Sequence, residues 1–263
     1  MQLYLATMEN NGDKITGGNC DFGLMSFFYL KNNQEKFDQM SQKINHILVD
    51  SGAHSFQHGV GKIDWEGYTR TYADFIARNT DNPKIEGFFE MDVDNVIGYD
   101  RVLELRAILE SVSNKIIPVW HRNRGIPDFI EMCKKYSGRR IAITGFKNND
   151  ILDAQYNLFI NTAHKYGCKI HVLGMTRVYL LNELNLSLED SFDSSSWIMM
   201  GAYANILIHY NKFDKFLIDC LGRIPNLSSQ KLAPVNYVCY RKLQEYYKDR
   251  DQSVIKPVNL NST

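Results

Sequence analysis

Acidic and imidazole side chains recur with short apolar runs in this sequence. The clearest cases are Asp50, Asp92, His121, His171 and Asp193, each lying in or directly after a run rich in Val, Ile, Leu or Phe. Such runs are typical of buried parallel strands. Carboxylates and imidazoles are the side chains that transfer protons, attack electrophilic carbon or bind metals. If the runs are parallel strands, these side chains meet at one edge of a sheet.

The spacing of the runs indicates how they are positioned. Those that end at residues 92, 119, 144, 173 and 193 alternate with segments that have the apolar period of a helix. This alternation predicts βα units and a parallel sheet. A doubly wound sheet normally carries a glycine-rich phosphate loop, but neither a GxGxxG nor a Walker A motif is present. We therefore predict an α/β fold, a single TIM-like (βα)8 barrel over residues 1–250 with a polar tail over 251–263.

Seven strands of this barrel can be assigned, and the eighth has two candidates, residues 204–209 or residues 235–239. The spacing predicts strands at 3–6, 46–50, 85–92, 116–119, 140–144, 169–173 and 188–193, and helices at 65–78, 99–112, 127–136, 151–166, 178–184 and within 229–250.

Composition limits the classes of protein that fit. The formal net charge is zero, so only a local basic patch could attract a polyanion. The N-terminal segment is too short and polar for a signal peptide, and the longest apolar stretch, 197–208, is too short to span a bilayer. The five cysteines are scattered and lack a Cys-x-x-Cys pair, which predicts free thiols in a reducing compartment. We expect a cytoplasmic protein without a membrane partner.

The order of the strand ends resembles that of the tRNA-guanine transglycosylase family and its relatives that place 7-deazaguanines in DNA. The resemblance runs from about residue 49 to residue 197. The serine run that ends at Trp197 is most similar to the DNA-type members found in viruses and phages, for which the compartment would be the host cytoplasm. The similar segments are Asp50-Ser51-Gly52, Glu90-Met91-Asp92, Ile143-Thr144-Gly145, His171-Val172-Leu173-Gly174 and Phe192-Asp193.

This resemblance implies an enzyme, a pentosyltransferase that replaces guanine in DNA with a 7-deazaguanine through a covalent aspartyl intermediate. It implies Asp193 as the nucleophile and Asp50 as the general acid and base, with no cofactor. Asp92 would accept hydrogen bonds from the N1–H and 2-amino groups of the base. Further base contacts are expected from Ser51, Gly52, His54, Phe56, His121, Gly145, His171 and Gly174, with either His54 or Phe56 stacking on the base.

Basic side chains near the same strand ends are candidates for phosphate contacts. They are Arg122, Arg124, Lys147 and Arg177, although solvated loop charge is the commoner role of such residues.

Several of these residues also have structural interpretations. Asp193 could cap a helix with the serines that follow it. Asp50 could close a turn before Gly52. Asp94 shares a strand face with Asp92 and could take its role. Gly174 and Gly145 could be ordinary turn glycines.

The chain departs from the tRNA enzymes in one respect. Those enzymes carry a Cys-x-Cys-x-x-Cys…His zinc subdomain after the nucleophile, whereas Cys220 and Cys239 are isolated here and 70 residues follow Asp193. We therefore expect no metal, with DNA and a free 7-deazaguanine base as partners and tRNA as the second choice. An accessory protein or a homodimer would complete the grip on nucleic acid.

Two other classes of function remain open. A noncatalytic family subunit would bind nucleic acid or a catalytic partner. A metal-dependent barrel hydrolase would use Asp92, His121 and His171 as ligands, although its usual His-x-His is missing from residues 3–7.

Overall fold

Strands and helices alternate along the chain, as the sequence predicts. The structure is a computed structural model that describes residues 1–56, 63–144, 151–175, 177–212, 215–223 and 229–252. The strands are β1 (Gln2–Leu5), β2 (Cys20–Ser26), β3 (Ile44–Asp50), β4 (Ile85–Phe89), β5 (Ile116–Ile117), β6 (Val119–Trp120), β7 (Arg140–Ile143), β8 (Lys169–Val172), β9 (Ser191–Ser194), β10 (Asn205–Lys212) and β11 (Lys215–Arg223).

The first nine of these strands form one parallel sheet in the order β5-β4-β3-β2-β1-β9-β8-β7-β6. Its two edges, β5 and β6, belong to one extended segment that is interrupted at Pro118, which has no N–H to donate. β5 pairs with β4 and β6 pairs with β7, so this segment joins the edges of the sheet. Counted in this way, the described residues form an eight-stranded parallel barrel, and the predicted fold class is confirmed.

The strand that sequence reasoning missed is β2, which lies between β1 and β3. Both candidates for the eighth strand are wrong. Residues 204–209 contribute to β10, which pairs antiparallel with β11 outside the barrel, and residues 235–239 lie in a helix. β2 is obscured by Asp21 and Gly23, which are uncommon in strands. A Cβ at Gly23 would lie 2.9 Å from Ile44 Cδ1, so a larger residue at this position would require the Ile44 side chain to shift.

Helices cover the outside of the sheet and confirm the predicted helical segments to within a few residues. Of the helices in the described ranges, none combines the length and apolar character needed to cross a membrane. They are α1 (Gln34–Gln42), α2 (Trp65–Asn79), α3 (Asp94–Ile97), α4 (Tyr99–Glu110), α5 (Gly125–Lys135), α6 (Tyr156–Lys165), α7 (Val178–Leu181), α8 (Ser196–Ala202) and α9 (Ser229–Lys248).

The barrel interior is closed at the N-terminal ends of its strands. Glu86 accepts hydrogen bonds there from the Tyr4 hydroxyl at 2.7 Å and from Arg140 at 3.0 Å. Above this ion pair lies an apolar layer, and the acidic residues of interest lie beyond it, at the C-terminal ends. The interior apolar residues are Tyr4, Ala6, Phe22, Leu24, Leu48, Phe89, Ile117, Val119 and Ala142.

A buried ion pair ties β4 to the helix that follows it. Glu90 accepts from Arg106 Nε at 2.5 Å and from Arg106 Nη2 at 3.0 Å, and both side chains are at most 3 % exposed. Glu90 also accepts from the backbone N–H of Val119. The carboxylate therefore joins β4, α4 and the strand that closes the barrel.

We predict that Glu90→Ala lowers the free energy of unfolding by about 3–5 kcal/mol, because it leaves the Arg106 charge buried and unpaired. Urea unfolding measures this loss. The control is Glu104→Ala, which removes an exposed partner of Arg101 and should cost less than about 1 kcal/mol. Equal losses in the two variants would contradict the role of Glu90.

Candidate active site

Three aspartates lie at the C-terminal ends of the barrel strands. Asp50 ends β3, Asp92 follows β4 by three residues, and Asp193 lies in β9. Because the strands are parallel and the barrel is closed, all three are delivered to one mouth. The negative charges of Asp92 and Asp193 both act on Asp50. The tertiary structure therefore assembles the three carboxylates that the sequence singled out.

The Asp193 carboxylate is held by the end of the neighbouring strand. Its Oδ1 accepts a hydrogen bond from the backbone N–H of Gly174 at 2.7 Å and lies 3.2 Å from His171 Nε2. His171 is fully buried, and its Nδ1 lies 2.8 Å from Ser191 Oγ. Burial lowers the pKa of His171. A neutral imidazole that donates from Nε2 to Asp193 accepts at Nδ1 from the Ser191 hydroxyl, which fixes the tautomer.

Only one oxygen of Asp193 is engaged in this way. Within the described part of the chain, no hydrogen bond involves Oδ2. The side chain is 13 % exposed, so the carboxylate reaches the mouth while its Oδ1 is anchored. The helix-capping interpretation is not favoured, because Ser195 is the N-cap position of α8 and makes no side-chain capping bond. Gly174 has a φ of +62°, which favours glycine, and its N–H serves Asp193 directly.

Asp50 has the most strongly shifted carboxyl group at the mouth. Burial, reinforced by the charges of Asp92, Asp193 and Glu9, raises its pKa from the usual 3.8 to about 7. The opposing contribution is a hydrogen bond from the backbone N–H of Gly52 to Asp50 Oδ2 at 2.9 Å. A carboxyl group with such a pKa can donate and accept a proton at neutral pH.

The turn interpretation of Asp50 is also correct, because the Gly52 bond closes a turn at the end of β3. Gly52 has a φ of +79°, and a Cβ there would lie 2.4 Å from Phe28 Cβ, so a larger residue would displace the loop. Ser51 is fully buried, and its carbonyl accepts from the Tyr68 hydroxyl at 2.7 Å. Ser51 and Gly52 thus position Asp50, and their contact with a base stays a prediction.

A second cluster contains Asp92, Asp94 and His121. His121 Nε2 contacts Asp92 Oδ1 and lies 3.5 Å from Asp94 Oδ1. The Asp92 side chain is 27 % exposed and that of Asp94 only 5 %, so Asp92 is the carboxylate that a ligand can reach. Burial alone would lower the pKa of His121, but the hydrogen bond and charge of Asp92, together with Asp94, raise it overall.

Within the described ranges, the group that could hold a cation is Asp92, Asp94 and His121. It differs from the predicted set of metal ligands, which contained His171 in place of Asp94. The ligand atoms of Asp92, Asp94 and His121 all lie within 4.8 Å of one another. His171 is not part of it, because its imidazole contacts Asp193. The structure thus separates the two histidines that the hydrolase hypothesis joins.

The predicted phosphate contacts have different surroundings. Arg122 is exposed. Arg124 is 6 % exposed, donates to the Val119 carbonyl and lies 4.1 Å from the ring centroid of Tyr99, so a phosphate contact would require it to leave these partners. Arg177 forms an ion pair with Asp153.

Some sequence predictions fall outside the described part of the structure. They concern residues Gly145 and Lys147, which belong to the range 145–150, and the side chains of His54 and Phe56. Their roles stay predictions.

Sequence reasoning gave no role to three polar residues of the mouth. Glu9 is 2 % exposed, accepts from the backbone N–H of Ser26 at 3.1 Å and adds its charge to those acting on Asp50. Ser26 Oγ and Thr144 Oγ1 are buried without a hydrogen-bond partner among the described residues. The sequence signal for Glu9 was an acidic residue four positions after the end of β1. Ser26 ends β2, so it could not be identified as a residue of the mouth until that strand was recognised.

Comparison with protein-family models gives no match for this chain, and comparison with curated proteins gives none either. The geometry and chemistry of the site therefore carry the functional inference.

We predict that Asp50 makes stability depend on pH. Because its folded pKa is raised, its stabilising contribution is complete near pH 4 and is lost as the pH rises towards 7. This loss is absent in Asp50→Asn. The free energy of unfolding of the variant, relative to that of the wild type, should therefore be roughly 1–3 kcal/mol higher at pH 8 than at pH 5, with the lower end reflecting solvent screening. Urea unfolding at the two pH values measures it. The exposed Asp74→Asn should show no such gain, and an equal gain there would refute the assignment.

Proposed function

We propose that this protein is a base-exchange transglycosylase, a pentosyltransferase that replaces guanine in DNA with a 7-deazaguanine through a covalent aspartyl intermediate. The observation that carries the proposal is the pair Asp50 and Asp193. Two carboxylates share one barrel mouth, one with a pKa of about 7 and one anchored by a backbone N–H and an imidazole. A pair of this kind divides into a proton carrier and a nucleophile. The resemblance of the strand ends to the transglycosylase family supports the same assignment.

In the first step, a carboxylate oxygen of Asp193 attacks C1′ of the target nucleotide as the C1′–N9 bond breaks. The electrons of that bond leave with guanine, which takes the proton of the Asp50 carboxyl group. The products are an ester between Asp193 and C1′, neutral guanine and an Asp50 carboxylate. The transition state resembles an oxocarbenium ion, which the nearby carboxylates stabilise.

In the second step, N9 of the incoming 7-deazaguanine gives its proton to Asp50 and bonds to C1′. The bond between Asp193 and C1′ breaks and returns its electrons to the Asp193 carboxylate. Two displacements at C1′ retain the configuration. Both carboxyl groups end in their starting states, so the cycle needs neither cofactor nor external acid.

Asp92 is the candidate for recognising the base. It is the exposed member of the Asp92–Asp94 pair, and a carboxylate can accept from both N1–H and the 2-amino group of guanine. An adenine-like base has no such pair of donors and would leave the Asp92 acceptor positions that face the base unpaired, at a cost of about 1–3 kcal/mol. The partly exposed Asp92 carboxylate supports this role, in preference to Asp94.

DNA is the proposed polymer because few cations lie at the mouth among the residues that the structure describes, and two of the three predicted arginines are engaged. Arg122 is exposed, Arg177 is paired with Asp153, and Arg124 is engaged within the fold. A small number of phosphate contacts is better suited to binding a single unstacked nucleotide than to binding a folded RNA that is recognised by its shape. tRNA remains the second choice, the compartment is proposed to be the cytoplasm, and an accessory protein or a second copy would extend the grip.

A metal-dependent hydrolase is a second candidate, and one observation favours it. Asp92, Asp94 and His121 bring three ligand atoms together. This alternative leaves Asp50 and Asp193 without a role, since neither belongs to that cluster. A noncatalytic subunit would also have no use for a carboxyl group with a pKa near 7. We therefore rank both below base exchange.

We predict that Asp193→Asn abolishes base exchange and the covalent complex while keeping the fold, because the amide retains an oxygen for the Gly174 N–H but is not a nucleophile. Incubation with labelled guanine and DNA measures exchange, and a denaturing gel measures the adduct. The exposed Asp74→Asn serves as the control and should keep both. Full exchange by Asp193→Asn would rule out Asp193 as the nucleophile.

We predict that a labelled 7-deazaguanine enters DNA rather than tRNA in side-by-side incubations at low salt. Single-stranded or locally opened DNA should serve at least as well as duplex, because the target base is then already unstacked. Binding should be modest, with a log–log salt slope of about −2 to −3 if Arg122, Lys147 and Arg177 each neutralise one phosphate. Incorporation into tRNA alone would overturn the choice of polymer and leave the chemistry at Asp193 standing.

A further inference from the structure

Ser26 and Asp50 end neighbouring strands on the same side of the sheet. β2 and β3 are paired in parallel with Ser26 opposite Asp50 and, two residues earlier, Leu24 opposite Leu48. Both leucines belong to the apolar layer inside the barrel. Because every second side chain of a strand points to the same face, Ser26 and Asp50 also point inwards, side by side at the mouth.

The Ser26 hydroxyl is not used by the fold. Ser26 Oγ is buried and has no hydrogen-bond partner in the described ranges. A hydroxyl group can donate one hydrogen bond and accept two, so a buried hydroxyl without a partner is unusual and costly. This side chain therefore calls for a partner that it meets at another stage of the reaction.

The backbone of Ser26, in contrast, is held firmly. Its N–H donates to Glu9 Oε2 at 3.1 Å, and Glu9 is 2 % exposed. Glu9 reaches β2 after a turn at Thr7, whose φ of +64° is rare for a β-branched residue. Strained backbone of this kind is often found at functional sites. Ser26 is thus fixed beside Asp50 through its backbone, and its hydroxyl can be redirected by rotation about χ1.

The Asp50 carboxyl group has few donors around it. The bond from the Gly52 N–H to Oδ2, at 2.9 Å, is the one hydrogen bond that it makes with the described residues. One donor is sufficient while Asp50 is protonated and neutral. In the first step of base exchange, however, Asp50 gives up its proton, and a buried carboxylate with a single donor is costly.

We propose that Ser26 is a positioning residue whose hydroxyl donates a hydrogen bond to the Asp50 carboxylate once that group has given its proton to the leaving base. This inference rests on the proposed function, in which Asp50 gives a proton to guanine and takes one from the incoming base. No covalent bond changes at Ser26. The hydrogen bond stabilises the intermediate in which Asp193 is esterified, and it is no longer needed when Asp50 is protonated again.

The other groups that face Asp50 do not supply this donor. Two phenols of α2 lie close enough for the Asp50 charge to act on them, but the Tyr68 hydroxyl donates to the Ser51 carbonyl and the Tyr72 hydroxyl is shared between the Val49 and Phe89 carbonyls. The remaining groups are acids, which repel a carboxylate. They are Asp92 after β4, Asp193 in β9 and Glu9 after β1.

The first test is an NMR titration of the Asp50 carboxyl carbon, whose signal is assigned by its loss in Asp50→Asn. In Ser26→Ala the midpoint should rise by about one pH unit, because the charged form loses a hydrogen bond. Ser26→Thr keeps a hydroxyl and should keep the wild-type midpoint. The control is Ser137→Ala, which removes an exposed hydroxyl before β7 and should change nothing. An unchanged midpoint in Ser26→Ala, or a Ser26→Thr variant that titrates like Ser26→Ala, overturns the proposal.

The second test is the single-turnover release of labelled guanine from DNA at pH 5, where Asp50 is protonated in both proteins. Ser26→Ala should release guanine about three- to tenfold more slowly, because proton transfer then leaves a less stable carboxylate, and the KM for DNA should stay unchanged. As the pH rises, the fall in rate should begin about one pH unit higher than in the wild type, in step with the midpoint. A raised KM at an unchanged rate overturns the positioning role in favour of direct contact with the substrate.

Failure of this proposal and failure of the proposed function give different results. If the wild type releases no guanine, the proposed function fails, whereas the NMR midpoints still decide whether the Ser26 hydroxyl stabilises the Asp50 carboxylate. If guanine is released but Ser26→Ala neither moves the midpoint nor slows the release, base exchange stands and the role of Ser26 falls.

Discussion

Closure of the parallel sheet across residues 116–120 is the constraint on which the site depends. Pro118 divides this segment so that one half pairs with β4 and the other half with β7. Without closure, Asp50 and Asp92 would lie in one half of an open sheet, and His171 and Asp193 would be drawn away from them. The buried Glu90 carboxylate reinforces the same junction, because it bonds both Arg106 and the Val119 N–H. A residue next to the candidate site thus stabilises the barrel rather than acting in it.

Closure of the barrel brings acidic side chains together at its mouth. The local contacts of each carboxyl group then determine how well its charged form is stabilised. Asp193 receives a backbone N–H and an imidazole, which stabilise the carboxylate. Asp50 receives one N–H and faces the charges of three other acids, so its pKa rises to about 7. Asp92 contacts His121 Nε2 and stays partly exposed. Three similar side chains at one mouth therefore acquire different surroundings, as the roles proposed for Asp193, Asp50 and Asp92 require.

The acidic side chains that meet at the mouth also limit what it can bind. A polynucleotide brings further negative charge, and two of the described arginines near the mouth lie beside acidic residues. Arg177 pairs with Asp153, and Arg124 lies near Asp94 and Asp128. Binding that relies on a few phosphate contacts is weak and sensitive to salt. Under the proposed base exchange, recognition of the base, for which Asp92 is the proposed residue, then has to supply much of the selectivity.

The sequence by itself determined the α/β class, most of the helices and the polar character of the strand ends, because strand and helix periodicity and the residue types at the ends of apolar runs are local properties. It did not reveal β2, whose Asp21 and Gly23 interrupt a strand pattern that is complete only when β1 and β3 lie on either side. Only the tertiary structure decided that His121 belongs with Asp92 and Asp94 while His171 belongs with Asp193, since both histidines follow similar runs. It also decided that Arg124 is turned into the fold, and that the pKa of Asp50 rises to about 7. These outcomes depend on distances between residues far apart in the chain, which local pattern does not encode.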